Sequence, residues 1–145
     1  NEKGFVFFTN YASDKGNEIE SNPNVCLLFF WSELQRQVRI DGRASRISPW
    51  ESEEYFKTRP PGSKIGAHAS PQSKVIPNRG FIEERFSEIE KKFAGKDIPR
   101  PENWGGYLVV PNTFEFWQGR ESRLHDRFRF LLTAQGSWQV DRLAP

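Results

Sequence analysis

Phe114-Glu115-Phe116-Trp117-Gln118-Gly119, running on through Arg123-Leu124-His125-Asp126-Arg127, is the stretch of the chain densest in groups that can stack on a flat ring and hold an anion. Its first part reads as an aromatic strand that breaks at Gly119. Its second part gathers two arginines, a histidine and an aspartate within a few residues. Taken as extended backbone, Arg123 and His125 point to one side and Leu124 and Asp126 to the other. Arg123 then offers a planar fork of donors and His125 a titratable partner to one ligand, while the Asp126 carboxylate pairs with Arg127. On composition alone a surface ion-pair cluster explains these residues better. No serine or cysteine stands at a recognisable spacing to make a nucleophile with His125, so acyl transfer has weak support.

Outward from this stretch the chain alternates between strands and helices. Downstream, Arg127 to Leu132 and Trp138 to Val140 read as strands across an Ala134-Gln135-Gly136 turn, and upstream Tyr107 to Val110 and Thr113 to Trp117 flank a Pro111-Asn112 turn. Ile98-Pro99-Arg100-Pro101 is a stiff connector, and Gly105-Gly106 is too short for a phosphate loop. Ile82, Phe86, Ile89 and Phe93 recur at spacings of four, three and four, which predicts an amphipathic helix from Asn78, ending before Gly95. Ser48-Pro49-Trp50-Glu51 combines proline at the first helical position with a capping box, and the helix must end by Arg59 because Pro60 and Pro61 follow. Near that end Tyr55 and Arg59 lie on one face with Ser63 just beyond. Together they make either a phosphate grip or a packed tyrosine beside a solvated arginine. Ser63 to Ala69 reads as a short helical turn, and Ser70 to Lys74 as a polar loop.

Phe5 to Asn10, Val25 to Trp31 and Gln35 to Ile47 read as strands, the last with Val38 and Ile40 on one side and Gln37, Arg39 and Asp41 on the other. Ser32-Glu33-Leu34 suits a hairpin. Between the first two strands a polar segment forms a short helix capped by Ser13 and stopped before Pro23, and Lys15 stands near its start. That start is either an anion site or an ordinary surface helix end. Several short strands with helices between them predict a mainly β protein, a small antiparallel barrel that binds ligands at its mouth or at subunit contacts.

Composition narrows the function classes. At 145 residues the chain fits one domain, and a domain of this length buries roughly 70% of its unfolded surface. Lys+Arg 21 against Asp+Glu 19 leaves +2 with no long run of one sign, so the footprint of a nucleic-acid binder is missing. Cys26 is the single cysteine, which excludes an internal disulfide, and its apolar neighbours predict a small core side chain. His68 and His125 stand far apart without a carboxylate cluster, so no metal site is expected. No stretch reaches the ~18 apolar residues that span a bilayer and no signal-peptide pattern opens the chain, which predicts a soluble cytoplasmic protein. The chain has no methionine and begins with a turn, so an N-terminal segment ahead of Asn1 is expected.

Many short stretches in one order resemble the pyridoxine (pyridoxamine) 5′-phosphate oxidase family over essentially the whole chain. They are Phe8-Thr9-Asn10, Arg36-Gln37-Val38-Arg39, Tyr55-Phe56 with Arg59-Pro60, Ser63-Lys64-Ile65-Gly66-Ala67, Gln72-Ser73, Trp104-Gly105-Gly106, Phe116-Trp117-Gln118-Gly119, Arg123-Leu124-His125-Asp126-Arg127 and Arg142-Leu143-Ala144-Pro145. The resemblance implies that residues 1–145 form a single FMN-binding split β-barrel domain, homodimeric, with the flavin in a cleft between subunits. It implies oxidation of pyridoxine or pyridoxamine 5′-phosphate to pyridoxal 5′-phosphate, with O2 as acceptor and hydrogen peroxide as product. By similarity Phe8, Thr9, Lys15, Gln37, Gln72, Ser73, Trp117 and Arg127 fall at FMN-contacting positions. Tyr55, Arg59 and Ser63 match the substrate-phosphate grip, and Arg123 and His125 match the residues that hold the substrate over the flavin. Asp14 stands where the family commonly has a basic residue, and a strand that precedes Asn1 in the family supplies further phosphate contacts. Alternatives are a related flavin oxidase acting on another ring, such as a phenazine precursor, and a flavin-binding domain without activity.

Overall fold

The apolar run after Asn22 and the alternating run before Ile47 pair as an antiparallel hairpin in the computed structural model, which describes residues 2–145. In chain order the elements are β1 (Phe5–Asn10), α1 (Asp14–Ser21), β2 (Asn24–Trp31), β3 (Arg36–Arg46), α2 (Pro49–Thr58), α3 (Pro61–Ala69), α4 (Arg79–Lys92), β4 (Trp104–Gln118), β5 (Asp126–Leu132) and β6 (Trp138–Leu143), with a 3₁₀ turn at Glu121–Arg123. Among the described residues the strands form one six-stranded sheet in the order β2-β3-β4-β5-β6, with β1 paired to β4. The mainly β expectation with inserted helices holds. These residues divide into two units, one made of residues 2–5, Asn22–Ala44 and Val109–Pro145, the other of Val6–Ser21 and Ser45–Leu108.

In the first unit the β2–β3 turn closes on Gln35, whose N–H donates to the Ser32 carbonyl at 3.0 Å and whose φ is 47°. Alternation on β3 buries Ile40 and Ala44 and leaves Arg39 and Arg43 exposed, as period-two patterning requires. Phe114 packs between Phe5 at 6.2 Å and Trp138 at 5.3 Å.

Two expectations fail here. Cys26 is exposed rather than core, because β2 turns a long apolar face outward: Leu28 and Phe30 are each 60% accessible. An apolar run tells that a face avoids water, not that its own chain covers it. The turn expected at Pro111-Asn112 is also absent, since β4 runs unbroken from Trp104 to Gln118. Proline is tolerated in a strand where no neighbour needs its N–H, and the β4–β5 ladder begins only at Thr113. On the other side Gly42 lies so close that a Cβ would run into the backbone of Val110 and Pro111.

The second unit is built on local helix signals. Ser13 Oγ accepts from the Gly16 N–H at 3.2 Å and donates to the Asn10 carbonyl at 2.6 Å, which caps α1 and ties it to β1. The Ser48–Glu51 capping box starts α2, with Pro49 at its first position, and Arg59 closes it in extended backbone ahead of Pro60. Where a helical turn was expected, α3 is a helix of 9 residues opened by Pro61. Asn78 caps α4 through the Phe81 N–H at 3.0 Å. Phe56, Ile65, Ala69, Trp104 and Tyr107 form the core. Each large side chain among them contributes about 1.5–3 kcal/mol by leaving water. Gly105 and Gly106 serve this packing: a Cβ on the first would meet the Tyr11 hydroxyl and Ser52, and on the second Phe8 and Ile47. The Tyr107 hydroxyl donates to Glu20 at 2.7 Å, and Glu20 also takes Arg46 at 2.8 Å. Burial first, and then this carboxylate, push the Tyr107 phenol up to about 12.

Candidate functional site

In the second unit the end of β1 carries an aromatic stack. Phe8 lies 3.7 Å from Tyr55, centroid to centroid, with the rings 6° from parallel, and Trp104 stacks on Phe8 at 5.3 Å with its ring 9° from parallel. Trp104 in turn supports Arg59, whose guanidinium sits 4.6 Å from the indole and 5.5 Å from Phe56. Both contacts are attractive cation–π geometry. Arg59 Nη1 is nevertheless buried with no hydrogen-bond partner among the described residues. A buried donor without an acceptor is costly, and burial holds the Arg59 guanidinium below its ordinary range. Tyr55 and Arg59 therefore share one aromatic platform, in which Arg59 is more than a solvated neighbour. Ser63 is exposed on the first turn of α3, after the two prolines.

The same unit brings Thr9 and Gln72 together across 63 residues of sequence: Gln72 Nε2 donates to the buried Thr9 Oγ1 at 3.3 Å. Ser73 follows in left-handed backbone with φ 67°, a conformation that costs a serine on the order of 1 kcal/mol and marks a specified loop shape. Lys15 is exposed on α1, its ammonium 5.8 Å from the Phe7 ring. Phe8, Thr9, Gln72 and Ser73 thus occupy the β1 end and the loop after α3, whereas Lys15 stands on a separate helix.

In the first unit Trp117 and Arg127 are directly opposed across the β4–β5 ladder. Arg127 Nε donates to Glu115 at 2.8 Å and its Nη1 to the Ala144 carbonyl at 2.9 Å, and the Glu115 pairing raises its pKa. Trp117 and Gln37 line one cavity of about 480 Å³ together with Trp31, Arg36, Phe116 and Phe128. Arg36 Nε holds Gln118 Oε1 at 2.7 Å.

The loop after Gln118 departs from the extended form assumed for it. Ser122 and Arg123 both lie in the left-handed region, at φ 56° and 63°, so the alternation that would align Arg123 with His125 does not apply. Such backbone costs ~1–3 kcal/mol for each non-glycine residue. His125 is held instead against Trp117, ring to ring at 4.9 Å, and its Nδ1 accepts the Arg120 backbone N–H at 3.1 Å. Arg123 is exposed. The expected Asp126–Arg127 pair is replaced: Asp126 takes Arg120 at 2.8 Å and Arg142 at 2.9 Å, and these two, Arg120 first, hold its carboxyl below the usual range. Neighbours along a strand point to opposite faces, and that keeps Asp126 from Arg127.

Comparison with known proteins gives this geometry a family. Residues 1–93 match the pyridoxamine 5′-phosphate oxidase family, and residues 104–145 match the pyridoxine 5′-phosphate oxidase C-terminal dimerisation region. The chain belongs to the pyridoxamine 5′-phosphate oxidase family. It is 57% identical to the pyridoxine/pyridoxamine 5′-phosphate oxidase of Flavobacterium johnsoniae and 55% identical to that of Rippkaea orientalis, in each case over 99% of this chain and 67% or 68% of the relative. The crystal structure of PhzG from Burkholderia lata 383, in complex with tetrahydrophenazine-1-carboxylic acid, superposes with a TM-score of 0.91 at 28% identity, covering 100% of this chain and 70% of that one. A pyridoxamine 5′-phosphate oxidase-related, FMN-binding protein from Nostoc punctiforme shares the fold at a TM-score of 0.72 and 16% identity, over 97% of this chain and 71% of that one. The family is one of oxidoreductases with the FMN-binding split-barrel fold, and FMN is its cofactor. Among the described residues no helix is long and apolar enough to cross a membrane.

Sequence reading missed three contributors. Trp104 was visible only as part of a matching tripeptide, and nothing local announced it as the platform under Arg59. Arg120 and Arg142 stand 6 and 16 residues from Asp126, and only the loop and the β5–β6 pairing bring them to it.

Proposed function

We propose that this chain is an FMN-dependent oxidase that converts pyridoxamine or pyridoxine 5′-phosphate to pyridoxal 5′-phosphate, working as a cytoplasmic homodimer through its C-terminal dimerisation region. The observation that carries the reading is Arg59. A guanidinium stacked on Trp104, with no acceptor for its buried Nη1 among the described residues, suits an anion, and a phosphate monoester supplies one. Tyr55 and Ser63 add hydroxyl donors to that grip.

Each unit, taken by itself, also offers groups that suit a flavin. From the second unit Phe8, Thr9, Gln72 and Ser73 offer ring cover and hydrogen-bonding groups, and Lys15 a cation for the cofactor phosphate. From the first unit Trp117 and Gln37 offer an aromatic wall and an amide on a cavity large enough for part of a tricyclic ring, and Arg127 adds a cation. FMN held by these residues would supply the redox chemistry, a two-electron exchange between the substrate C4′ carbon and O2. With the amine, substrate, O2 and water give aldehyde, ammonia and hydrogen peroxide; with the alcohol, substrate and O2 give aldehyde and hydrogen peroxide. Arg123 and His125 hold the substrate ring, a positioning task that contributes several kcal/mol.

A second reading, a flavin oxidase of a tricyclic substrate, draws on the likeness to PhzG. The relatives above 50% identity favour the phosphate substrate. The test is the visible spectrum of the purified protein followed by pyridoxamine 5′-phosphate in air. Flavin absorbance with matched aldehyde and peroxide release supports the proposal. Flavin with turnover of tetrahydrophenazine-1-carboxylic acid alone would move it to the second reading, and no flavin would sink both.

A further inference from the structure

The loop between β4 and β5 is pinned at each end. At its start the Gly119 N–H donates to the Gln35 carbonyl at 2.7 Å, so closely that a Cβ on Gly119 would run into the Gln35 side chain. At its end Asp126, the first residue of β5, spends both carboxylate oxygens on guanidinium groups: Oδ2 on Arg120 Nε at 2.8 Å and Oδ1 on Arg142 Nη1 at 2.9 Å. Arg142 reaches its oxygen from the sheet. It stands on β6 opposite Phe128 in the β5–β6 ladder, and its guanidinium lies 4.4 Å over the Phe128 ring. Arg120, as exposed as Arg142, reaches Asp126 from the loop.

The consequence falls on His125. A backbone N–H can donate to Nδ1 only if that nitrogen carries no proton, so the neutral ring holds its proton on Nε2. Trp117, 4.9 Å away and tilted by 46°, restricts the ring on one side. We propose that Asp126 is a positioning residue: by gripping Arg120 and Arg142 together it keeps the Arg120 N–H on His125 Nδ1, and so presents His125 to the substrate as an Nε2–H donor. This rests on the reading of His125 as a substrate-holding residue. The loop needs such a clamp because Ser122 and Arg123, consecutive and neither a glycine, sit in backbone they do not favour. Partly exposed ion pairs add little stability, so the clamp acts on geometry, and a melting temperature is the wrong readout.

The test uses the full chain loaded with FMN and labelled with [15N]histidine. The chain has only His68 and His125, and His68→Gln assigns the two rings. Long-range 1H–15N correlation spectra at mildly alkaline pH report which nitrogen carries the proton. The wild type is expected to hold His125 as Nε2–H. Asp126→Asn should give a mixture of both tautomers and lower kcat/KM for pyridoxamine 5′-phosphate about tenfold, mainly in kcat, with FMN retained; that is the scale of one misplaced charged hydrogen bond. Asp126→Glu should restore the single tautomer. Arg120→Ala, at an exposed site, should reproduce the mixture and decides the matter if Asp126→Asn does not fold. An Nδ1–H wild type, or an unchanged Nε2–H ring in Asp126→Asn or Arg120→Ala, overturns the proposal. If the wild type never oxidises pyridoxamine 5′-phosphate, the functional reading fails, while the tautomer spectra still uphold or overturn the clamp.

Discussion

Replacing Arg59 with methionine separates a binding cation from a structural one, because the two roles predict opposite balances of stability and activity. The guanidinium gains about 0.5–2 kcal/mol from its place over Trp104 at 4.6 Å and near Phe56. Against this stands the buried Nη1, which has no partner among the described residues, and leaving such a donor unsatisfied costs about 1–3 kcal/mol. Methionine removes both terms while keeping a flexible apolar stem against the indole. The net change in folding stability is therefore expected within about 1 kcal/mol of zero, a shift of a few degrees at most in Tm. Activity should behave otherwise. A forked guanidinium–phosphate contact of two charged hydrogen bonds, at ~1.5–3 kcal/mol each, is worth at least ~3 kcal/mol. At 1.36 kcal/mol per decade that is a loss of roughly two or more decades in kcat/KM.

The assay pairs thermal melting with steady-state turnover on pyridoxamine 5′-phosphate and on pyridoxamine without its phosphate. Wild type and Arg59→Met should differ by two or more decades on the first substrate and by less than about threefold on the second. A variant that melts far below wild type yet keeps its kcat/KM on the phosphate ester would refute the reasoning. Arg59 would then be a packing residue whose Nη1 is satisfied by water.

Three further outcomes follow from the same geometry. Tyr107 has its phenol pushed up to about 12 from 10.0, so its contribution to stability is complete below pH 10 and is lost as pH rises from there through 12. An absorbance titration should find one phenol ionising late, and Tyr107→Phe should abolish it. Gly105→Ala should destabilise the fold by ~2 kcal/mol or more in denaturant titration, since its methyl has to displace the Tyr11 hydroxyl and Ser52 Oγ; a neutral result would mean that Tyr11 is free to swing away. Arg123→Ala should cut turnover at least tenfold while FMN absorbance and retention stay at wild-type level, and loss of flavin instead would show that cofactor and substrate contacts have been exchanged.

How much of this was legible in the chain depends on where each signal resides. The start of α2 is written within four residues, Ser48 to Glu51, and its capping box forms as read; α4 begins where its apolar spacing placed it, and the structure adds the Asn78 cap on the Phe81 N–H. Cys26 and Pro111 were misread because the deciding fact lay elsewhere. For Cys26 it was the outward turn of the apolar face of β2, where Leu28 and Phe30 are also exposed. For Pro111 it was the lack of any β5 partner beside that residue. Residue type predicts what an environment should be, and only topology decides whether that environment is supplied.

The candidate site divides along the same line. Tyr55 and Arg59 were found together because helical periodicity is local, and the structure adds Phe8 and Trp104, 47 and 49 residues away from Tyr55, as the stack that holds them. The Arg123–His125 loop was found for its chemistry and misdrawn in shape, because strand alternation was extended into residues that adopt left-handed backbone. Nothing in Arg120, Ser122 or Asp126 taken singly predicts that shape. It results from closing a loop whose ends are fixed by an antiparallel ladder, where the offset between Gln118 and Asp126 is already set by the pairing of β4 with β5. Given that offset, Asp126 has to face away from Arg127, Arg127 turns to Glu115, and Asp126 is left to collect Arg120 and Arg142. The ion pairs of this region thus follow from strand register, and the orientation of His125 follows from the ion pairs.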